Sequence, residues 1–460
     1  MNFLQGESQN IEYKIKLPSK SEKYIKTVIA FANTNGGKII IGIEDTTKAV
    51  IGVDETSVFD IMDNIANAIS DSCQPQIVPN ITFQSIENKC IIIVEIYPGS
   101  NRPYYLKSKG KLSGTYIRIA GTSRLADITK IKELELEGSN LSWDELICLN
   151  YVVKPTAIRK LCNDIKQYKL KAYSSDNTTI PVITKRQLLN WKLLKEESGK
   201  ILATNAFVLL SSSYFSFAKI QCALFKGIDR DIFIDKKEYT GPLYEQIEDA
   251  YQFVLRHINL SAEINGLIRK NTYEVPPEAI REMIVNAVCH RNFMDNSCIQ
   301  VAIYDNRIEV TSPGMLYNGL TLQEALQGRS KIRNRIIAET FNRMDLIEAW
   351  GTGICRIIKR AKEYNLPKPE FLEIGDTFRV NLYRKADKKA DKKADKKPIK
   401  EKRKDIILAY VQQNGSISNK EARNLLQLAE STTKRFLKEL VNNGDLQEKG
   451  ERKNRKYYIV

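Results

Sequence analysis

The chain is 460 residues long, with 71 Lys+Arg against 55 Asp+Glu and a formal net charge of +16. At ~100–200 residues per domain the length predicts about three domains, and an apolar fraction of 42% excludes wholesale disorder. The basic excess favours polyanionic partners and sits at one end: residues 384–404 carry 12 Lys/Arg against 4 acids, residues 405–460 carry 10 against 7, and the first 383 only 49 against 44.

The N-terminus, MNFLQGESQNIEYK, lacks the basic-then-apolar plan of a signal peptide. No stretch approaches the ~18 consecutive apolar residues of a membrane span. A cytoplasmic protein without membrane contact is the expectation. Eight cysteines (Cys73, Cys90, Cys148, Cys162, Cys222, Cys289, Cys298, Cys355) are scattered without a CxxC pair, which predicts reduced, mostly buried thiols.

Residues 1–138 alternate strands and helices. IEYKIKL (11–17) has a period of two, with Ile11, Tyr13 and Ile15 on one face and Glu12, Lys14 and Lys16 on the exposed one. A helical stretch from Glu22 to Asn33 puts Ile25, Val28, Ile29 and Ala32 on one stripe, and Asn35-Gly36-Gly37 ends it. KIIIGIED (38–45) is an apolar run, the sign of a strand buried on both faces; Asp45 closes it, where Asp is a frequent turn former. A helix near 56–70 and strands around 78–86, 89–97 and 115–120 complete an α+β unit. Arg102, Lys107, Arg118 and Arg124 are either phosphate contacts or solvated surface cations.

Residues 139–275 open with a helical section; AFVLLS (206–211) and IQCALFKG (220–227) read as strands, and YEQIEDAYQFVLRHI (244–258) as an amphipathic helix. No catalytic constellation stands out there. In residues 276–383 a helix, PEAIREMIVNAVCHR (277–291), precedes strands at 298–305 and 307–314 and helices near 332–342 and 353–364. Glu282 and Asn286, four apart, share one helical face. Such a pair suits a magnesium–phosphate site or is a solvated surface pair. Ser312-Pro313-Gly314 ends a strand and Gly351-Thr352-Gly353 opens a helix, where glycine admits a ligand close to backbone N–H groups and a helix N-terminus favours phosphate. No GxxxxGK[ST] occurs, which excludes a P-loop motor.

Residues 384–404, with three ADKK repeats, read as a solvated linker or frayed helix. Residues 405–460 read as three short helices and a basic hairpin. DIILAYVQQNG is the first helix, Ser418 caps a second whose Ala422, Leu425 and Leu426 face a core, and TTKRFLKELVNNG is the third. That plan is a winged helix-turn-helix, presenting Thr432, Thr433, Lys434, Arg435 and Lys438 to a major groove. Lys449, Arg452, Lys453, Arg455 and Lys456 form the wing, along phosphates or a minor groove. Winged helices also dock proteins; the basic wing and linker favour DNA.

Two resemblances add to this reading. The block EAIREMIVNAVCHRNF, RIEVTSPGML and IEAWGTGICRI is similar to the divergent GHKL-type ATP-binding fold of the RecG-related C-terminal family, akin to gyrase, histidine kinases and MutL. It implies Glu282 as a water-activating base, Asn286 as a magnesium ligand, Gly314 near adenine, and Gly351, Thr352 and Gly353 near the phosphates of ATP. The chain departs from better-known members in having Cys289-His290 where an Asp follows the Asn, and no Asp beside Gly314. His290 is either a substitute in the site or a structural or surface residue.

The N-terminal block resembles the Schlafen AlbA-type domain through Glu7, Glu12, Lys14, Phe31-Ala32-Asn33, Gly36-Gly37, Gly42, Asp45 and Tyr116-Ile117-Arg118. That resemblance implies nucleic-acid binding and, as an alternative, cleavage of RNA or DNA with manganese or magnesium held by Glu7, Glu12 and Asp45.

The composite expectation is an α+β multidomain protein: a Schlafen AlbA-type α/β domain (1–138), an α+β connector (139–275), a GHKL-like α/β sandwich (276–383), a linker and a winged helix-turn-helix. The function expected of it is that of an ATP-binding, DNA-binding transcriptional regulator, free of membranes and able to form a homodimer.

Overall fold

The computed structural model of the chain describes residues 8–86, 88–119, 121–172, 181–265, 268–347, 351–384, 396–426, 428–450 and 455–459. It divides into two compact units, residues 1–384 and 385–460.

The first unit opens with β1 (Ile11–Lys14), α1 (Glu22–Asn33), β2 (Gly37–Ile41), α2 (Val58–Ser72), β3 (Asn80–Ile86) and β4 (Lys89–Ile96). The sheet runs β1-β2-β4-β3, with β1 and β2 parallel and Tyr13 opposite Ile40. Ile39, Ile41, Ile92 and Val94 pack with α1 and α2, while Tyr13, Ile40, Ile91 and Ile93 form a second cluster. The central strand is thus buried on both faces, as its unbroken apolar run requires. Gly36 ends α1 at φ +75°, giving its N–H to the Phe31 carbonyl at 2.9 Å. Buried Asn33 donates to the carbonyls of Tyr104 (2.8 Å) and Tyr116 (2.9 Å) and accepts from the Tyr104 N–H (2.7 Å).

Two expectations for β1 are corrected. The strand stops at Lys14, leaving Ile15 exposed, and Glu12 is buried instead of facing solvent. The Glu12 carboxylate accepts from Arg118 at 2.7 Å and Thr27 at 3.0 Å and pairs with Lys14 at 2.8 Å. Burial of that charge is tolerated because it is paired and hydrogen-bonded. A hairpin, β5 (Tyr116–Ile119) and β6 (Thr122–Leu125), leads to α3 (Ile128–Gly138), whose N-cap Asp127 accepts from the Lys130 N–H at 2.7 Å.

Beyond residue 139 come α4 (Pro155–Ala172), α5 (Asn205–Ser211), β7 (Ile220–Phe225), β8 (Phe233–Tyr239), α6 (Leu243–His257) and α7 (Pro277–His290). They are followed by β9 (Ile299–Ile303), β10 (Arg307–Pro313), α8 (Arg335–Arg343), α9 (Gly353–Glu363), β11 (Glu370–Ile374) and β12 (Thr377–Tyr383). One six-stranded sheet, β8-β7-β9-β10-β12-β11, unites them, with β7 parallel to β9 and Ile220 opposite Ile299. A single core extends from Cys148 to Leu382. Residue 275 therefore lies inside one folded body and not at a break between two.

AFVLLS is a helix, against the strand expected. Thr204 caps it by accepting the Phe207 N–H at 3.4 Å, and Ala206 to Leu210 are all buried. A short run that is apolar on every side carries no periodicity to separate a buried strand from a buried helix.

The start of α8 is held by Asp144, which accepts from the Ile337 N–H at 2.9 Å. Burial pushes this carboxyl up to about 6 from an ordinary 3.8. The folded state therefore binds the proton more tightly, and the stability this group contributes is full below about pH 4 and lost as pH rises through about 6. Asp144→Asn is expected to flatten that stretch of the stability profile, read as melting temperature by circular dichroism between pH 4 and 7.

The second unit has α10 (Lys396–Asn414), β13 (Ile417–Ser418), α11 (Asn419–Leu426), α12 (Glu430–Asn442), β14 (Leu446–Lys449) and β15 (Lys456–Ile459). Its sheet order is β13-β15-β14, and Ile407, Val411, Ala422, Leu437, Leu440, Leu446 and Tyr457 form its core. Helix α10 starts at Lys396, inside the Lys-rich stretch, since Lys is a good helix former. Ser418 and Glu421 cap α11 reciprocally, at 3.3 and 2.7 Å. Leu425 is exposed and not in the core. Six of the eight cysteines are buried, Cys355 is exposed, and all are free thiols. Among the described residues no helix is long and apolar enough to cross a membrane.

Candidate functional site

Helix α7 buries Ile280, Met283, Ile284, Ala287 and Val288 in the core, which fixes the azimuth of its polar edge. That edge, Glu282 and Asn286, opens into a cavity of about 560 Å³ closed by the end of β10, the segment 314–332, α8 and the start of α9. The size suits a small-molecule ligand. Part of its lining is polar, with Glu282, Asn286, Ser330 and Lys331, and part is apolar, with Val310, Leu320, Ile354, Phe371 and Phe378.

The sequence-expected residues converge here. Asn286 donates its carboxamide N–H to Glu282 at 3.1 Å, and Arg356 of α9 approaches the other Glu282 oxygen at 3.6 Å. A Cβ on Gly353 would lie 2.3 Å from the Glu282 carboxylate and 2.7 Å from the Asn286 amide, so only glycine lets the first residue of α9 meet that pair. Gly351 takes φ +68°, and a Cβ there would meet the Gly328 carbonyl at 2.7 Å. Gly314, at φ +100°, lines the cavity, whereas Thr352 is exposed and does not. Ser312 also lines the cavity, with its hydroxyl donated to the Ala287 carbonyl at 2.8 Å.

His290 also lines the cavity; desolvation and the Arg333 charge pull its imidazole down to about 4, so it is neutral at pH 7. Burial, then the Arg102 charge, lowers the Lys331 ammonium as well. Four polar residues that sequence reasoning missed face the same space: Arg329, Lys331, Glu339 and Asn342. The last two are three apart on α8, opposite buried Ile336, Ile337 and Phe341; that amphipathic pattern was the available signal.

The N-terminal carboxylates are not brought together as a visible set. Glu7 lies outside the described residues, Glu12 is engaged with Arg118, Lys14 and Thr27, and Asp45 is exposed and paired with Lys48 at 2.8 Å. Among the described residues no group of three or more His, Cys, Asp or Glu side chains is placed to hold a metal ion. Arg118, only 4% exposed, stacks over Phe31 at 5.1 Å and is consumed inside the domain; Arg124 is exposed. Arg102 is likewise buried.

In the second unit Lys434, Arg435 and Lys438 project from α12 into solvent, and Thr432 is half-buried. Thr433 is fully buried and bonded to the Ala429 carbonyl at 3.1 Å, which removes it from any groove contact. Lys449 and Lys456 are exposed on the hairpin, and Arg455 pairs with Glu448 at 3.2 Å. Arg452 and Lys453 fall outside the described residues.

Comparison with known proteins matches three stretches. Residues 7–127 match the family "Schlafen, AlbA_2", residues 296–382 the family "Putative ATP-dependent DNA helicase recG C-terminal", and residues 403–444 the family "Winged helix-turn-helix DNA-binding". The second match begins after α7, so it covers Gly314, Gly351 and Gly353 but not Glu282 or Asn286. Among solved structures, the DIP2311 protein of Corynebacterium diphtheriae aligns over 98% of this chain and 92% of its own, at 17% identity and a TM-score of 0.44. The N-terminal domain of a RecG-related protein of Nitrosomonas europaea aligns over 28% of this chain and 88% of its own, at 19% identity and a TM-score of 0.21. No curated protein sequence matches. Over the three matched stretches, the chain joins a Schlafen AlbA_2 domain, a RecG C-terminal-type domain and a DNA-binding winged helix in one polypeptide.

Proposed function

We propose that this chain is a nucleotide-responsive DNA-binding protein, a transcriptional regulator that holds ATP and magnesium in the cavity beside α7. The observation carrying this reading is the cradle at Gly353, whose missing side chain leaves the N-terminus of an 11-residue helix facing a carboxylate–carboxamide pair. The free N–H groups and dipole of that helix end favour phosphate. Lys331, Arg329 and Arg356 add positive charge around it.

The residues fit the group. The Asn286 carboxamide oxygen is a hard ligand of the kind magnesium takes, and the apolar part of the cavity lining suits a base. Magnesium bound there supplies neutralisation of phosphate charge. Asn286 orients the polyphosphate, the α9 N-terminus binds it, and Glu282 positions a water or holds the Asn286 amide in place. With Ser312 bonded to α7, a purine amino group would be read by Glu339 or Asn342 instead. The winged helix supplies the DNA-binding part of the reading.

Titration with a fluorescent N-methylanthraniloyl ATP and Mg²⁺ tests it. The wild-type chain is expected to bind, and Asn286→Ala and Gly353→Val to weaken binding at least tenfold. Absence of any wild-type signal, backed by a null calorimetric titration, overturns the reading. Equal DNA affinity with and without Mg-ATP would overturn the coupling between the two ligands.

A further inference from the structure

The rim of the cavity is bonded to the N-terminal domain. Arg333 follows Lys331 and Ile332 of the cavity wall; its guanidinium donates to the carbonyls of His290 (3.1 Å) and Met315 (2.8 Å) and lies over the Tyr317 ring at 4.8 Å. The same guanidinium forms a buried ion pair with Glu133 of α3. A second tie lies alongside. Arg102 donates to Asn318 at 2.8 Å, to Glu137 of α3 at 2.7 Å and to the Thr34 carbonyl at 2.6 Å. Lys331 in turn bonds the Asn318 carbonyl. Gly319 sits against Asn35, where a Cβ would overlap the Asn35 side chain at 1.8 Å.

We infer that Glu133 and Arg102 of the Schlafen AlbA_2 domain are positioning residues for the nucleotide cavity, fixing the 314–333 rim through Arg333 and Asn318. This rests on the nucleotide reading above. The physical argument is that removing one member of a buried pair leaves the other charge uncompensated, so the rim cannot keep its arrangement when Glu133 is lost. A ligand that closes on Lys331 and Met315 must then act on α3 as well, and linkage makes the effect mutual. Burial pushes the Glu133 carboxyl up, yet Lys130 and Arg333 outweigh it and hold the group at about 2. Its contribution is present above about pH 4.5 and is lost as pH falls toward 2, so the tie is constant across the physiological range.

The test uses the full chain, the same fluorescent ATP with Mg²⁺, and hydrogen–deuterium exchange. In wild type, nucleotide is expected to slow exchange both in 314–333 and in 128–138, although α3 does not line the cavity. Glu133→Gln is expected to weaken nucleotide at least fivefold and to abolish the ligand-dependent protection of 128–138. Asn318→Ala, at the partly exposed second tie, is expected to do the same to a smaller degree and guards against loss of folding in the first variant. Nucleotide binding with no change in 128–138, and wild-type affinity in Asn318→Ala, overturns the inference while the nucleotide reading stands. No nucleotide binding by wild type removes both.

Discussion

Glu12→Ala is expected to destabilise the Schlafen AlbA_2 domain by roughly 3–5 kcal/mol, the usual cost of stranding one partner of a buried ion pair. The partner left behind is Arg118, whose side chain is 1% exposed and whose other bonds go to Ser123 Oγ at 3.1 Å and to the Ser8 and Gln9 carbonyls. A whole domain carries only about 5–15 kcal/mol, so the loss is a large share of what holds it folded. Thermal denaturation followed by circular dichroism reads the effect; an unchanged first transition contradicts it. Glu12→Gln keeps an acceptor for Thr27 and is expected to cost less. The consequence for a nuclease assay is direct. A metal-dependent activity that disappears in Glu12→Ala reports unfolding as readily as chemistry, and exposed Asp45→Asn is the cleaner probe of cleavage.

Replacing Lys434, Arg435 and Lys438 together by alanine is expected to reduce affinity for duplex DNA by about 100-fold near 0.1 M salt. Each cation withdrawn from a phosphate lowers the salt slope by about 1, so the triple variant should lose about 3. All three project from α12 into solvent, and among the described residues none has a side-chain hydrogen bond or ion pair, unlike buried Thr433. Deleting 384–460, where most of the +16 resides, should remove the greater part of the salt-sensitive affinity. Fluorescence anisotropy with a labelled duplex across a salt series measures both. An unchanged slope after the triple substitution would place the DNA contact elsewhere, with exposed Arg124 the next candidate.

Much of this was legible in the sequence because strong periodicity survives folding. Helix α1 has the limits expected of it, Glu22 to Asn33, since an apolar stripe and a glycine stop agree. Glu282, Asn286 and Gly353 converge because four-residue spacing fixes one helical face and a glycine marks close approach. What was not legible depends on partners distant in the chain. Glu12 looked solvent-facing because Lys14 is two residues away, whereas its main partner, Arg118, is 106 residues on. Nothing local to Arg333 announces that Glu133, 200 residues earlier, receives it. The Schlafen landmarks show the same thing from the other side. Glu12, Phe31, Asn33 and Arg118 are all interior scaffolding, so the pattern that identifies the domain records its packing more than its chemistry.

The six-stranded sheet has a consequence for heredity. Strand β7 is laid down before α7 yet pairs in parallel with β9, so the sheet that frames the cavity draws on chain well upstream of the matched 296–382 stretch. A recombination event that moved only those later residues into another gene would deliver a sheet without β7 and β8, with Ile299, Val301 and Ile303 missing their neighbours. A piece that keeps this sheet paired must therefore reach back at least to Ile220, and further still, to Asp144, to keep the start of α8 held.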